Sequence, residues 1–277
     1  MAGKATNGSC VIDERSHART SIDSSFNSGS ITSVRRLGIL GLVAALALVS
    51  CTSRPAPLAI HQVPVPRLPY SDYDTRGAYP QFKNGREDLA SVNAAIRDVI
   101  LRDQHAALPV PFPLLPDYPR DRGTYEIATD PSLISASSVV VSALLKSYFH
   151  NPGGEPDQYW VSFTIEVPSG RPVRISELFV DPTKALRVIS TSVRATVLAT
   201  SDCGALIAAD PTFLAGFAPT AENYRDFALT ERGLIIGLLV GGVACGRTQA
   251  AVSWRVVRPL LNDLGRRLVA GVRSPMN

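Results

Sequence analysis

The chain lacks the short motifs by which many enzymes announce themselves. Its 277 residues contain no Gly-x-Ser-x-Gly to set a serine on a strand-to-helix turn, and no His-Glu-x-x-His to place two zinc ligands on one helical face. No glycine-rich loop opens a helix to cradle a phosphate; Gly241-Gly242 stands between two expected strands instead. Lys and Arg total 28 against 24 Asp and Glu, with no basic run anywhere, so the phosphate-directed binding of nucleic acid has no electrostatic footprint. We therefore expect no catalytic residue, no cofactor, no metal and no nucleic-acid partner. Cysteine is sparse, with four in all. Long apolar runs are sparse too, and the longest spans residues 37–49.

That run organises the chain. Arg35 and Arg36 precede it, the small Ser50 follows, and Cys51 comes next, which is the three-part layout of a secretory signal peptide. A spanning helix needs about 20 apolar residues, and this run stops short of that at Ser50, Thr52, Ser53 and Arg54. The ending Leu48-Val49-Ser50-Cys51 resembles the lipobox of bacterial lipoproteins, whose cysteine thiol carries diacylglycerol and whose chain is cut just before it. The resemblance implies lipidation at Cys51, loss of residues 1–50, and a membrane partner engaged through the diacylglycerol at the outer face of the cell membrane. Each buried methylene of such an anchor contributes about 0.8 kcal/mol. Residues 1–33 are polar, with no apolar period to bury, and are not fold material. Removing residues 1–50 takes away five basic residues (Lys4, Arg15, Arg19, Arg35, Arg36) and three acidic ones (Asp13, Glu14, Asp23), so the formal charge of +4 falls by two.

Position sorts the cysteines. Cys10 lies in the leader and Cys51 is the lipid site, which leaves Cys203 and Cys245 as an even pair. In an oxidising exterior an even pair favours a disulfide, contributing on the order of 4 kcal/mol by loop entropy. A nucleophilic Cys203 would want a histidine, and His61, His105 and His150 are all remote from it in sequence.

Prolines 55, 57, 64, 66 and 69 make residues 51–69 read as a semi-stiff tether. Residues 70–150 read as an N-terminal α+β lobe, with a helix over 87–105, a proline-rich surface crossing over 108–119, and strands over 124–129 and 133–145. Residues 151–277 read as a C-terminal lobe. There a strand over 158–167 alternates, with Tyr159, Val161, Phe163, Ile165 and Val167 on its core face. Asp181-Pro182 opens a helix running to Thr200. Strands over 228–230, 234–240 and 249–254 follow, and then one closing helix from Val256 to Val269. The expected class is α+β, an antiparallel sheet packed by helices on one face, in two small lobes.

Four pieces of the C-terminal part carry a family resemblance. They are the Gly153-Gly154 turn before a strand; Ser169-Gly170-Arg171-Pro172-Val173-Arg174-Ile175-Ser176-Glu177-Leu178-Phe179; the run from Glu222-Asn223-Tyr224-Arg225-Asp226-Phe227 through Thr230 to Gly233-Leu234-Ile235-Ile236; and the glycine-containing hairpin before the last helix. With these the chain resembles the RsiV-like extracytoplasmic domain, shared by RsiV-type anti-sigma factors and a secreted, immunogenic mycobacterial protein. The Ala, Val and Arg usage suits an actinobacterial lipoprotein. The resemblance implies an extracytoplasmic binding domain, and in the RsiV branch such a domain captures lysozyme, so a protein ligand such as lysozyme is an expected partner. This chain has a lipobox where an anti-sigma factor has a sigma-binding segment and a spanning helix, and no lysozyme-contacting position carries over.

Tyr70, Tyr73, Tyr79 and Phe82 crowd one segment, and His150 stands beside the Gly153-Gly154 turn. Aromatic residues are enriched in recognition surfaces, which makes these five the candidate binding surface. The alternative is that the rings pack over a sheet edge. The function expected is a lipid-anchored, non-enzymatic binding protein recognising lysozyme-like proteins or envelope components. A cell-envelope hydrolase of unrecognised type, acting on esters or glycans, is the alternative.

Overall fold

Alternation along two long strands decides the layering. In a computed structural model, described over residues 57–68, 73–84, 87–107, 122–151, 156–239 and 247–275, an eight-stranded sheet runs in the order β1 (Ala59–Pro64), β2 (Tyr73–Asn84), β4 (Gly123–Ala128), β6 (Val140–His150), β7 (Asp157–Glu166), β8 (Arg171–Pro172). Two short strands lie off that path: β3 (Glu87–Asp88) pairs with β2, and β5 (Ile134–Ala136) pairs with β6. All neighbours are antiparallel except β2 and β4. Successive side chains of a strand point to opposite faces. On one face Val141, Ala143, Leu145 and Phe149 of β6 join Val161, Phe163 and Ile165 of β7 in a core closed by Val92, Ile96 and Ile100 of helix α1 (Ala90–Ala107).

The other face is covered as well. Leu144 and Trp160 meet Ala228 and Ile235, which belong to a second, three-stranded antiparallel sheet of β9 (Phe227–Thr230), β10 (Gly233–Leu239) and β11 (Arg247–Ser253), ordered β11-β10-β9. The far face of that sheet presents Leu234, Ile236, Leu238, Ala250 and Val252 to Ala185, Leu186, Ile189, Val193 and Val197 of helix α2 (Pro182–Thr200). The fold is α+β, with the layers stacked as α1, first sheet, second sheet, α2. Each sheet carries its long helix on one face.

Polar residues register the two sheets. Ser142 Oγ lies 2.7 Å from Thr164 Oγ1 and accepts the Leu229 N–H at 2.9 Å, all in the buried interface. Trp160 donates its indole N–H to the Thr248 carbonyl at 3.0 Å. A Cβ at Gly237 would stand 2.6 Å from Trp160 Cγ, so only glycine lets β10 approach that ring. Gly77 answers a different need: its φ of +83° lies in the left-handed region, and a Cβ there would meet the Ile127 carbonyl oxygen at 1.9 Å.

Several expectations are corrected here. The tether does not stay unpaired: β1 lies inside it and pairs with β2 from Ala59 opposite Lys83 to Pro64 opposite Ala78. It is an edge strand, where proline is tolerated because the missing donor faces outward. The helix expected over 87–105 begins later, because Glu87 and Asp88 pair with β2 and Leu89 N–H bonds to the Phe82 carbonyl at 3.2 Å. Asn93 then holds both backbone groups of Phe82, at 2.9 and 3.0 Å. The strand expected over 133–145 is broken at Ser137, whose hydroxyl accepts the N–H groups of Val139 (3.2 Å) and Val140 (3.3 Å) and turns β5 into β6. The closing helix is likewise broken. Trp254–Val257 passes through a 3-10 turn, Arg258–Leu260, and a fresh helix, Asp263–Gly271, starts on Asn262, whose Oδ1 accepts the Gly265 N–H at 2.9 Å. The boundary expected at residue 150 falls at the end of β6, between two strands that pair with each other from Val140 opposite Glu166 to Phe149 opposite Asp157. Residues Thr52–Asn277 form one compact unit. Among the described residues no helix is long and apolar enough to cross a membrane.

Candidate ligand cleft

β8 covers only the last residues of β7, and beside the remainder of that strand lies a cleft of ≈ 440 Å³. From α1 it receives Val99 and Arg102; from β7, Ser162 and Thr164; from the segment after β8, Val173, Arg174 and Ser176; and from the loop before β9, Glu222 and Arg225. The volume is within the usual range for small-molecule sites, about 300–1,000 Å³.

Asp226 anchors the loop that forms one wall. Its backbone carbonyl accepts the Gly237 N–H at 2.7 Å, and its Oδ1 accepts from Ser162 Oγ at 3.2 Å. Ser162 Oγ also lies 3.3 Å from the Arg225 carbonyl. The Arg225 guanidinium pairs with Glu222 through Nη1 and with Asp226 through Nε, the latter at 3.5 Å. Burial pushes the Asp226 carboxyl up to about 6, against the opposing pull of Arg225 and Ser162. Beneath α1, Asp103 Oδ2 accepts from Tyr125 OH (2.7 Å) and Ser147 Oγ (2.8 Å). Burial raises Asp103 despite those two donors and the charge of Arg225. The same burial, together with the Asp103 charge and hydrogen bond, raises Tyr125. Tyr159 is pushed up to about 12 by burial, by its hydrogen bond to Asp157 and by the Asp157 and Asp103 charges.

The cleft's cations are not equally engaged. Arg225 is neutralised by Glu222 and Asp226. Glu177 is desolvated, which pushes its carboxyl up, yet the Arg174 backbone N–H (2.7 Å) and the Arg171 guanidinium (2.6 Å) outweigh that and hold it below its ordinary value. With both Glu177 oxygens so occupied, the Arg174 guanidinium lies within electrostatic reach of that carboxylate but makes no ion pair among the described residues, and Arg102 makes none either.

The residues expected to form a recognition surface are placed elsewhere. Tyr79 and Phe82 are 2% and 0% exposed and belong to the core under α1, so they offer no surface. Asn93 pins the Phe82 backbone there. Tyr73 is half-buried, stacked on Phe149 with centroids 6.0 Å apart, and its hydroxyl donates to Asn151 Oδ1 at 2.9 Å. His150 is half-buried at the end of β6, opposite Thr124. Tyr70, Cys51, Cys245, the 108–119 crossing and the glycine pairs 153–154 and 241–242 lie outside the described residues. Cys203 is half-buried beside the core around α2. Among the described residues no group of three or more His, Cys, Asp or Glu stands close enough to hold a metal.

Sequence reasoning missed Arg102, Arg174, Arg225 and the half-buried carboxylates Asp103 and Asp226. For Asp103 a signal existed: it continues the spacing of Ile96 and Ile100 along the buried stripe of α1. Asp226 and Arg225 sit inside a motif used above only as a family marker.

No protein-family model matches the chain, and no curated protein matches it. Two crystal structures are similar to it in outline. A DUF3298 family protein from Pseudomonas aeruginosa PAO1 overlaps 76% of this chain and 97% of its own, at 10% identity and a TM-score of 0.49. A member of the same family from Bacteroides fragilis NCTC 9343 overlaps 78% of this chain and 98% of its own, at 11% identity and a TM-score of 0.49. Likenesses at that level establish neither family membership nor activity.

Proposed function

We propose that this is a lipid-anchored protein of the outer face of the cell membrane, whose folded unit is a non-enzymatic, RsiV-like binding domain for lysozyme-like proteins or other envelope components. The observation that carries the reading is that the compact unit begins at Thr52, the residue after the lipobox cysteine, so cleavage and lipidation at Cys51 would leave the whole folded unit tethered by its first residue. The cleft beside β7 supports a binding role, since its edge carries guanidiniums without an ion pair. Outside the leader and the lipobox, Cys203 and Cys245 are the two cysteines left, and an even pair supports a Cys203–Cys245 disulfide, the form expected in an oxidising compartment.

Calorimetric titration of the purified protein with lysozyme, with and without reductant, tests the binding role. Saturable heat is the expected result, and its loss under reductant would tie the binding surface to Cys203 and Cys245. No heat at micromolar concentrations would remove lysozyme-like proteins from the reading.

A further inference from the structure

The cleft beside β7 has a charge pattern that selects its ligand. Three arginines line it against one glutamate, and that glutamate is paired with Arg225, as is the adjacent Asp226. What remains facing the cleft is Arg102 from α1 and Arg174 from the segment after β8, two guanidiniums with no ion pair among the described residues. They stand beside walls that include the half-buried Val99 and the buried Val173. Two like charges lining one cleft repel each other, so an anion between them relieves that repulsion as well as making bonds. A guanidinium is a planar fork of donors that matches a carboxylate with two parallel hydrogen bonds. Ser176 adds a hydroxyl that can donate or accept.

We propose that this cleft is a binding site for a small organic carboxylate of sugar or dipeptide size, its acid group held between Arg102 and Arg174 and its body against Val99 and Val173. The inference deepens the binding role proposed above and rests on it. It adds a ligand class and the two residues that select it.

The test is calorimetric titration of the full-length chain in mild detergent with matched pairs that differ in the carboxylate: glucuronate against glucose, and N-acetyl-dialanine against its amide. Binding of at least one acid, with its neutral partner weaker by about tenfold or more, is expected, since a hydrogen bond to a charged group is worth about 1.5–3 kcal/mol. Arg102→Gln and Arg174→Gln should each weaken the acid by a similar factor. Both side chains are exposed, so neither change disturbs the core. Arg187→Gln, on the exposed face of α2, should leave the affinity unchanged. Absence of binding by either acid, equal binding of acid and neutral partner, or unchanged affinity in both arginine variants would each overturn the proposal. A protein that binds lysozyme but neither acid removes the cleft assignment and keeps the anchored binding domain; one that binds none of them removes the cleft assignment and lysozyme-like proteins together.

Discussion

Asp226 shows how much of this structure turns on single polar residues. Its carboxyl titrates near 6 in the folded chain against an ordinary value of 3.8, so the folded state holds the proton more tightly than the unfolded one. A group raised in this way stabilises the fold while protonated, and the contribution is lost as pH rises between those two values. At 1.36 kcal/mol per unit the loss amounts to about 3 kcal/mol at most. Asp103, also raised by burial, adds to the same trend. Glu166 works against it: the Arg267 and Ser169 hydrogen bonds hold it below its ordinary range, so it stabilises above that range and loses its contribution as pH falls. The clean readout is therefore a difference. Urea denaturation between pH 4 and 7 should show Asp226→Asn losing less stability with rising pH than the parent chain; parallel profiles would mean that Asp226 is not the group responsible. None of this was legible in the sequence, because burial, and not residue type, sets that pKa.

At the scale of elements, the periodic patterns were legible and the interruptions were not. The helix expected from Asp181-Pro182 to Thr200 is α2, with Asp181 Oδ1 accepting the Lys184 N–H at 3.0 Å. The core face expected of the 158–167 strand is the one that packs under α1. What alternation could not reveal is that the opposite face of β7, with Trp160, Ser162 and Thr164, is an interface between two sheets and not a solvent face. Serine and threonine read as polar surface in a single strand, and become registration points only when a second sheet supplies partners. Ser137 and Asn262 interrupt a strand and a helix by local side-chain bonds that an apolar pattern does not record. Ser142→Ala tests the interface directly. It leaves the buried Leu229 N–H and Thr164 hydroxyl without their partner, which should cost about 2–3 kcal/mol by chemical denaturation. Ser91→Ala, at an exposed position of α1, should cost well under 1 kcal/mol. Equal costs for the two would show that the Ser142 bonds do not register the sheets.

At the scale of the whole molecule, the two sheets and two long helices make one folded unit, Thr52–Asn277. The class of fold could be read from patterns that repeat along the chain. The cleft could not, since Arg102, Arg174 and Arg225 come from segments far apart in sequence and meet only because α1 and the loop before β9 converge at the uncovered stretch of β7. The most direct measurement is the intact mass of the protein extracted from membranes of cells expressing the full chain. A mature chain beginning at Cys51 and carrying diacylglycerol is the expected result, with Cys51→Ala shifting the protein out of the lipid-modified form. A membrane-extracted chain that retains residues 1–50, or that begins elsewhere with Cys51 unmodified, would contradict the anchored binding domain.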